Sequence, residues 1–82
     1  MSRPDVPQVV VYHAPGCHLC DRAIEIVRAV QLERGFELRL VDISGDPELE
    51  DRYRERLPVV EVDGEVAFTF FVAADALLAR LG

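Results

Sequence analysis

Apolar and polar positions follow two different periods along this chain. Val9-Val10-Val11-Tyr12 is an unbroken apolar run just after two prolines. A run this short, bounded by turn residues, reads as a strand buried on both faces. It predicts a central strand over Gln8–His13, with His13-Ala14-Pro15-Gly16 as the loop that follows. The spacing then becomes helical. Leu19, Ala23, Ile26 and Val30 mark one row and Cys20, Ile24 and Val27 the next, predicting a helix over His18–Arg34 with a broad apolar face. Arg34 in the last turn and Gly35 beyond it are stop signals.

Alternation returns from Phe36 to Ile43, where Phe36, Leu38 and Leu40 oppose Glu37, Arg39 and Val41. One face is more polar, which suits an edge strand. With almost no loop after the helix, this strand should lie parallel to the first. Ser44-Gly45 breaks it, and Asp46-Pro47 reads as an N-cap followed by proline at the first helical position. A short helix is expected over Pro47–Arg56, anchored by Leu49 and Tyr53, with Glu48–Arg52 and Glu50–Arg54 four apart. Val59–Val62 and Val66–Phe70 read as strands joined by Asp63-Gly64, a dipeptide suited to the two positive φ angles of a type I′ turn. The tail, Ala73–Leu81, presents Leu77, Leu78 and Leu81 at helical spacing but lacks a good N-cap. The order is β-α-β-α-β-β-α, an α/β domain with a four-stranded mixed sheet flanked by helices. It occupies residues 1–82 as one unit, with Met1–Pro7 as a frayed lead-in.

Composition narrows the function classes. Nine arginines, no lysine and fifteen acidic residues leave a net charge of −6. That balance opposes a nucleic-acid partner, which needs a basic surface to neutralise phosphates. The lack of lysine excludes Schiff-base chemistry on a side chain. Apolar runs are too short for a membrane span and the N-terminus has no signal-peptide pattern, so a cytoplasmic protein off the membrane is expected.

The only two cysteines lie at Cys17-His18-Leu19-Cys20, where the first strand turns into the first helix. Unpaired N–H groups and the positive end of the macrodipole favour an anion there. A thiol so placed can ionise as low as about 3.5–7.5, against about 8.5 for free cysteine. Cys17 is therefore the candidate nucleophile and Cys20 the candidate resolving thiol. Other readings stay open. Free cysteines pack as small hydrophobes. A soft-metal module could use the same pair. Zinc or an iron–sulfur centre needs further ligands, from His13, His18, a second subunit or glutathione. His18 either favours the thiolate when protonated or is simply exposed on the first turn. Asp21 opposes negative charge nearby or complements the dipole; dipole complementarity is preferred. His13 is read as a strand-end residue, Tyr12 and Tyr53 as packing, and Phe68, Phe70 and Phe71 as core plus a partly exposed flank of the site.

With these residues in hand, the chain resembles the glutaredoxin-like proteins of the thioredoxin superfamily. The resemblance rests on residues 9–20, on Val41-Asp42-Ile43, and on Leu57-Pro58-Val59-Val60-Glu61-Val62-Asp63-Gly64. It implies a thioredoxin-like fold and a thiol–disulfide oxidoreductase. Pro58 would be cis and face the active cysteine, whereas composition alone favours trans. The backbone of Leu57 would pair with substrate, and Leu57, Pro58 and His18 would frame the substrate groove. No organic cofactor is built in. The expected partners are a disulfide-containing protein or small thiol, with an unidentified reductase or glutathione as electron donor, and the protein acts as a monomer. A non-catalytic interaction domain on the same fold is the remaining alternative. The family pattern also has departures here. His18-Leu19 replaces Pro-Tyr, Ala14 or His13 lies where a lysine is usual, and Phe68-Thr69-Phe70-Phe71-Val72 stands where a Gly-Gly-acidic segment takes the glutathione carboxylate. These departures predict poor use of glutathione. Arg52, Arg54 and Arg56 offer cationic contacts to a tripeptide, but a solvated helix end is the preferred reading.

Overall fold

The period changes read from the chain become elements with nearly the same limits. The computed structural model describes residues 6–82; Met1–Asp5, part of the expected lead-in, lie outside them. The chain runs β1 (Gln8–His13), α1 (His18–Arg34), β2 (Glu37–Asp42), α2 (Pro47–Tyr53) with one 3-10 turn at Arg54–Arg56, β3 (Val59–Val62), β4 (Glu65–Thr69) and α3 (Ala74–Leu81). The sheet order is β2-β1-β3-β4. β1 pairs parallel with β2 and antiparallel with β3, and β4 pairs antiparallel with β3. The all-apolar strand is thus central and the more polar β2 is an edge. This is an α/β thioredoxin-like fold.

Alternation along the strands sorts the core into two layers. Val9, Val11, Val60 and Val62 face α1 and α3, meeting Ala23, Val27, Val30, Leu77 and Leu81. Leu77 is completely buried, which contributes about 1.5–3 kcal/mol for a side chain of its size. On the opposite face Tyr12 and Val59 meet Leu49 and Tyr53 of α2, in a cluster that also takes in Ala14, Ile43, Leu57 and, from the start of α1, Cys20. Because α2 is short, it covers only the end of that face nearest the cysteines.

Local chemistry explains the boundaries. The Asp46 carboxylate accepts from the N–H groups of Glu48 and Leu49, and Pro47 fills the first turn, so α2 starts as expected. Glu48–Arg52 and Glu50–Arg54 both pair along its surface. Its last turn tightens to 3-10, an ordinary way to end a helix. Asp63 and Gly64 both have positive φ, 50° and 85°, as the turn requires. Asp63 also ties the hairpin to β1: its N–H donates to the Gln8 carbonyl at 2.8 Å, and its carboxylate accepts from the Gln8 N–H at 3.0 Å.

Some element limits differ from the sequence reading. β4 sits one residue earlier than expected, because the two-residue turn places Val62 opposite Glu65. A bulge at Val60/Glu61 then lets Ala67 slip between the paired residues. β2 is shorter at both ends. Phe36 turns its side chain into the core while its carbonyl accepts from Gln31 Nε2 at 2.9 Å. Within the lead-in, Pro7 is held to β2, its carbonyl accepting the Glu37 N–H at 2.9 Å. Ala73 caps α3 without a side-chain hydrogen bond, in keeping with the missing cap signal. Among the described residues no helix is long and apolar enough to cross a membrane.

Candidate active site at the start of the first helix

Gly16, with φ 77°, turns the chain out of the β1–α1 loop, a backbone region that glycine enters without penalty. The next residue, Cys17, is the N-cap of α1, in extended conformation with φ −91° and ψ 102°. Its Sγ accepts the backbone N–H of Cys20 at 3.1 Å. A sulfur atom therefore takes the place that a serine or aspartate oxygen usually holds at a helix start. Cys17 and Cys20 are joined as a disulfide, with Cα atoms 5.2 Å apart.

The two sulfurs differ in access. Cys17 is half-buried, whereas Cys20 is 1% exposed and belongs to the core layer containing Ala14, Ile43, Leu57 and Val59. When the bond is open, an anion on Cys17 keeps the Cys20 N–H and the helix N-terminus as partners. An anion on Cys20 would sit in apolar surroundings that disfavour charge. Burial thus separates an outer from an inner cysteine.

Of the remaining candidates, Leu57 joins the buried cluster that holds Cys20 and borders Cys17. His18 is exposed on the first turn, as is Asp21. The Leu57–Pro58 peptide bond is cis, as the resemblance implies. Both side chains are buried, Leu57 at 9% exposure and Pro58 below 2%. What they can offer a substrate is main chain rather than side-chain surface. His13, the last residue of β1, pairs in register with Asp42 of β2. The Asp42 carboxyl lies below its ordinary range, chiefly because it accepts the Ser44 N–H at 2.8 Å. Arg52 and Arg54 lie against Glu48 and Glu50 of their own helix. Among the described residues no three His, Cys, Asp or Glu side chains group so as to hold a metal ion.

Two features escape the sequence pattern. Tyr12 and Tyr53 pack with ring centroids 4.6 Å apart, and each hydroxyl donates to one oxygen of Glu61 at 3.3 Å. Burial, followed by the Glu61 carboxylate, pushes the Tyr12 hydroxyl above its usual 10.0. Both tyrosines are packing residues as expected, but a shared acid fastens them. Secondly, Leu19 does not join the buried row of α1; it is 39% exposed. The buried stripe is Cys20, Ala23, Val27 and Val30, and Leu19 falls beside it. There it lines a groove of about 230 Å³ with Arg22, Ala23, Ile26, Phe70, Phe71 and Val72.

Known proteins are similar to this chain in sequence and in fold. Residues 8–82 match the glutaredoxin-like domain (DUF836). Uncharacterized proteins of Mycobacterium bovis and Mycobacterium tuberculosis are 36% identical over 69 residues, spanning 78% of this chain and 68% of theirs. A solution structure of a Nitrosomonas europaea protein superposes with a TM-score of 0.81 at 30% identity, covering 100% of this chain and 99% of that one. A crystal structure of a protein from X. campestris gives 0.76 at 31% identity, over 89% and 93% of the two chains. Chloroplastic thioredoxin z gives 0.78 at 18% identity, over 96% and 78%, a likeness of fold alone. In sequence and in architecture, then, this chain belongs to the glutaredoxin-like domain family.

Proposed function

We propose that the protein is a thiol–disulfide oxidoreductase in which Cys17 attacks and Cys20 resolves. The observation that carries this reading is the position of Cys17 Sγ as the cap of α1, bonded to the Cys20 N–H at 3.1 Å. Few other places on a small domain would hold a thiolate so readily.

In the first step the Cys17 thiolate attacks one sulfur of a substrate disulfide. The Cys17–substrate bond forms, the substrate bond breaks, and its other sulfur leaves as a thiolate that takes up a proton. Cys20 then loses its proton and attacks Cys17 Sγ. The second substrate thiolate departs, and the Cys17–Cys20 disulfide remains. Two electrons pass from the dithiol to the substrate, and an external dithiol or two molecules of a small thiol restore the reduced pair. In this reading His18 lies beside the approach to Cys17, and the Leu57 main chain lines the substrate's path.

A coupled assay tests the reading. Reduction of a protein disulfide such as insulin is followed with the reduced protein, fed in parallel by glutathione and by a thioredoxin-type reductase. Catalysed reduction is expected, with the reductase the better donor. No acceleration over the donor alone, with either system, contradicts it.

A further inference from the structure

The groove beside the cysteines gives the proposed chemistry a substrate class. Five large apolar side chains are exposed among the described residues, and three of them, Leu19, Phe70 and Phe71, line this one groove. Phe71 is 73% exposed. Clustered apolar surface of this kind marks a binding face more often than a scattered leucine does.

One wall belongs to the helical turn that carries the reacting pair, and the other is tied to Pro58. Leu19 lies between Cys17 and Cys20 in the first turn of α1. On the other side the Phe70 N–H donates to the Pro58 carbonyl at 3.0 Å. A chain whose disulfide meets Cys17 therefore lays its neighbouring residues over the groove. Phe70 holds φ 67°, a left-handed conformation that a non-glycine residue adopts only at a cost. The turn accepts that cost and presents two benzyl groups.

The same turn is unsuited to a small acidic thiol. Recognition of a free carboxylate by a turn needs backbone N–H groups directed outward. Here the Phe70 N–H is taken by Pro58, and the Phe71 N–H donates to the Thr69 carbonyl at 2.7 Å. Among the described residues, Arg22 is the one titratable residue lining the groove, so a basic flank is disfavoured and a neutral or acidic one is accepted.

We infer that the substrate is a polypeptide disulfide with an aromatic or branched aliphatic residue close to its cysteine, and that this side chain enters the Leu19–Phe70–Phe71 groove. The inference rests on the exchange reading above. Two peptides test it, each with one cysteine joined to thionitrobenzoate and differing only in a phenylalanine or a serine beside that cysteine. Attack by Cys17 leaves the peptide bound through a new disulfide and releases the coloured thiolate.

At low peptide concentration the Cys20→Ser protein is expected to react about tenfold faster with the phenylalanine peptide, as partial burial of one apolar side chain allows. Adding Phe71→Ser, or Leu19→Ser, should bring the two rates within about twofold. Leu32→Ser, at a residue 91% exposed and outside this groove, should keep the preference. Equal rates for both peptides with normal colour release overturn the inference alone. So does a preference that survives both groove substitutions. No release from either peptide overturns the exchange reading and this inference with it.

Discussion

Cys20 donates its backbone N–H to the sulfur of Cys17, 3.1 Å away. The inner cysteine thus supports the outer one through its main chain, while its own side chain is 1% exposed. This division of labour follows from the three-residue spacing at a helix start. The first residue caps the helix, and the fourth supplies the N–H that a cap accepts.

The two cysteines should respond differently to substitution. Cys17→Ser should abolish exchange, since a serine hydroxyl does not ionise near neutrality. Cys20→Ser should retain the first attack and accumulate a mixed disulfide on Cys17. Mass spectrometry after exposure to a disulfide substrate reads both outcomes. Equal residual turnover in the two variants contradicts the assigned roles.

The Asp63-Gly64 turn should be sensitive at Gly64. Its φ of 85° is costly for any residue with a Cβ, so Gly64→Ala should lower stability by about 1–2 kcal/mol. Among the described residues, no atom beyond Gly64 and its two chain neighbours lies within 4 Å of the added methyl group, so the loss is conformational rather than steric. Urea denaturation should show a lower midpoint with an unchanged slope.

Leu77 gives the corresponding test of the α1–α3 layer. It is completely buried against the sheet, and Leu77→Ala should cost about 2–5 kcal/mol. Thermal unfolding of the variant checks this, and an unchanged Tm would mean that α3 does not close the core.

Tyr12 supplies a pH dependence whose sign is fixed. Burial and the Glu61 carboxylate raise its hydroxyl above 10.0 in the folded protein. The folded state therefore holds this proton more tightly than the unfolded chain. The associated stability is fully present below 10.0 and is lost as pH rises through the folded value. Phenolate absorbance should show Tyr12 ionising above 10.0. In Tyr12→Phe the alkaline loss of stability should be smaller.

Most of the fold was legible because its elements differ in period and punctuation. The apolar run of β1, the helical spacing of α1, the Asp46-Pro47 cap and the Asp63-Gly64 turn each carry their own local cause. Less legible were features that depend on how elements meet. Leu19 belongs by spacing to the apolar face of α1, but the buried stripe is centred on Cys20, Ala23 and Val27. The Glu61 bridge joins residues from β1, α2 and β3 that only the folded sheet brings together. At the candidate site, the spacing of the two cysteines and their place where a strand turns into a helix were legible, whereas the difference in their burial was not. The cis bond at Pro58 was implied only through the family resemblance, since local composition favours trans.

The most direct measurement is the titration of the reduced protein by alkylation, with mass mapping to separate the two cysteines. Cys17 should react first, with a rate that rises around a midpoint clearly below the roughly 8.5 of free cysteine, while Cys20 stays protected. Equal rates at the two positions, with a midpoint at or above that of free cysteine, would contradict the account.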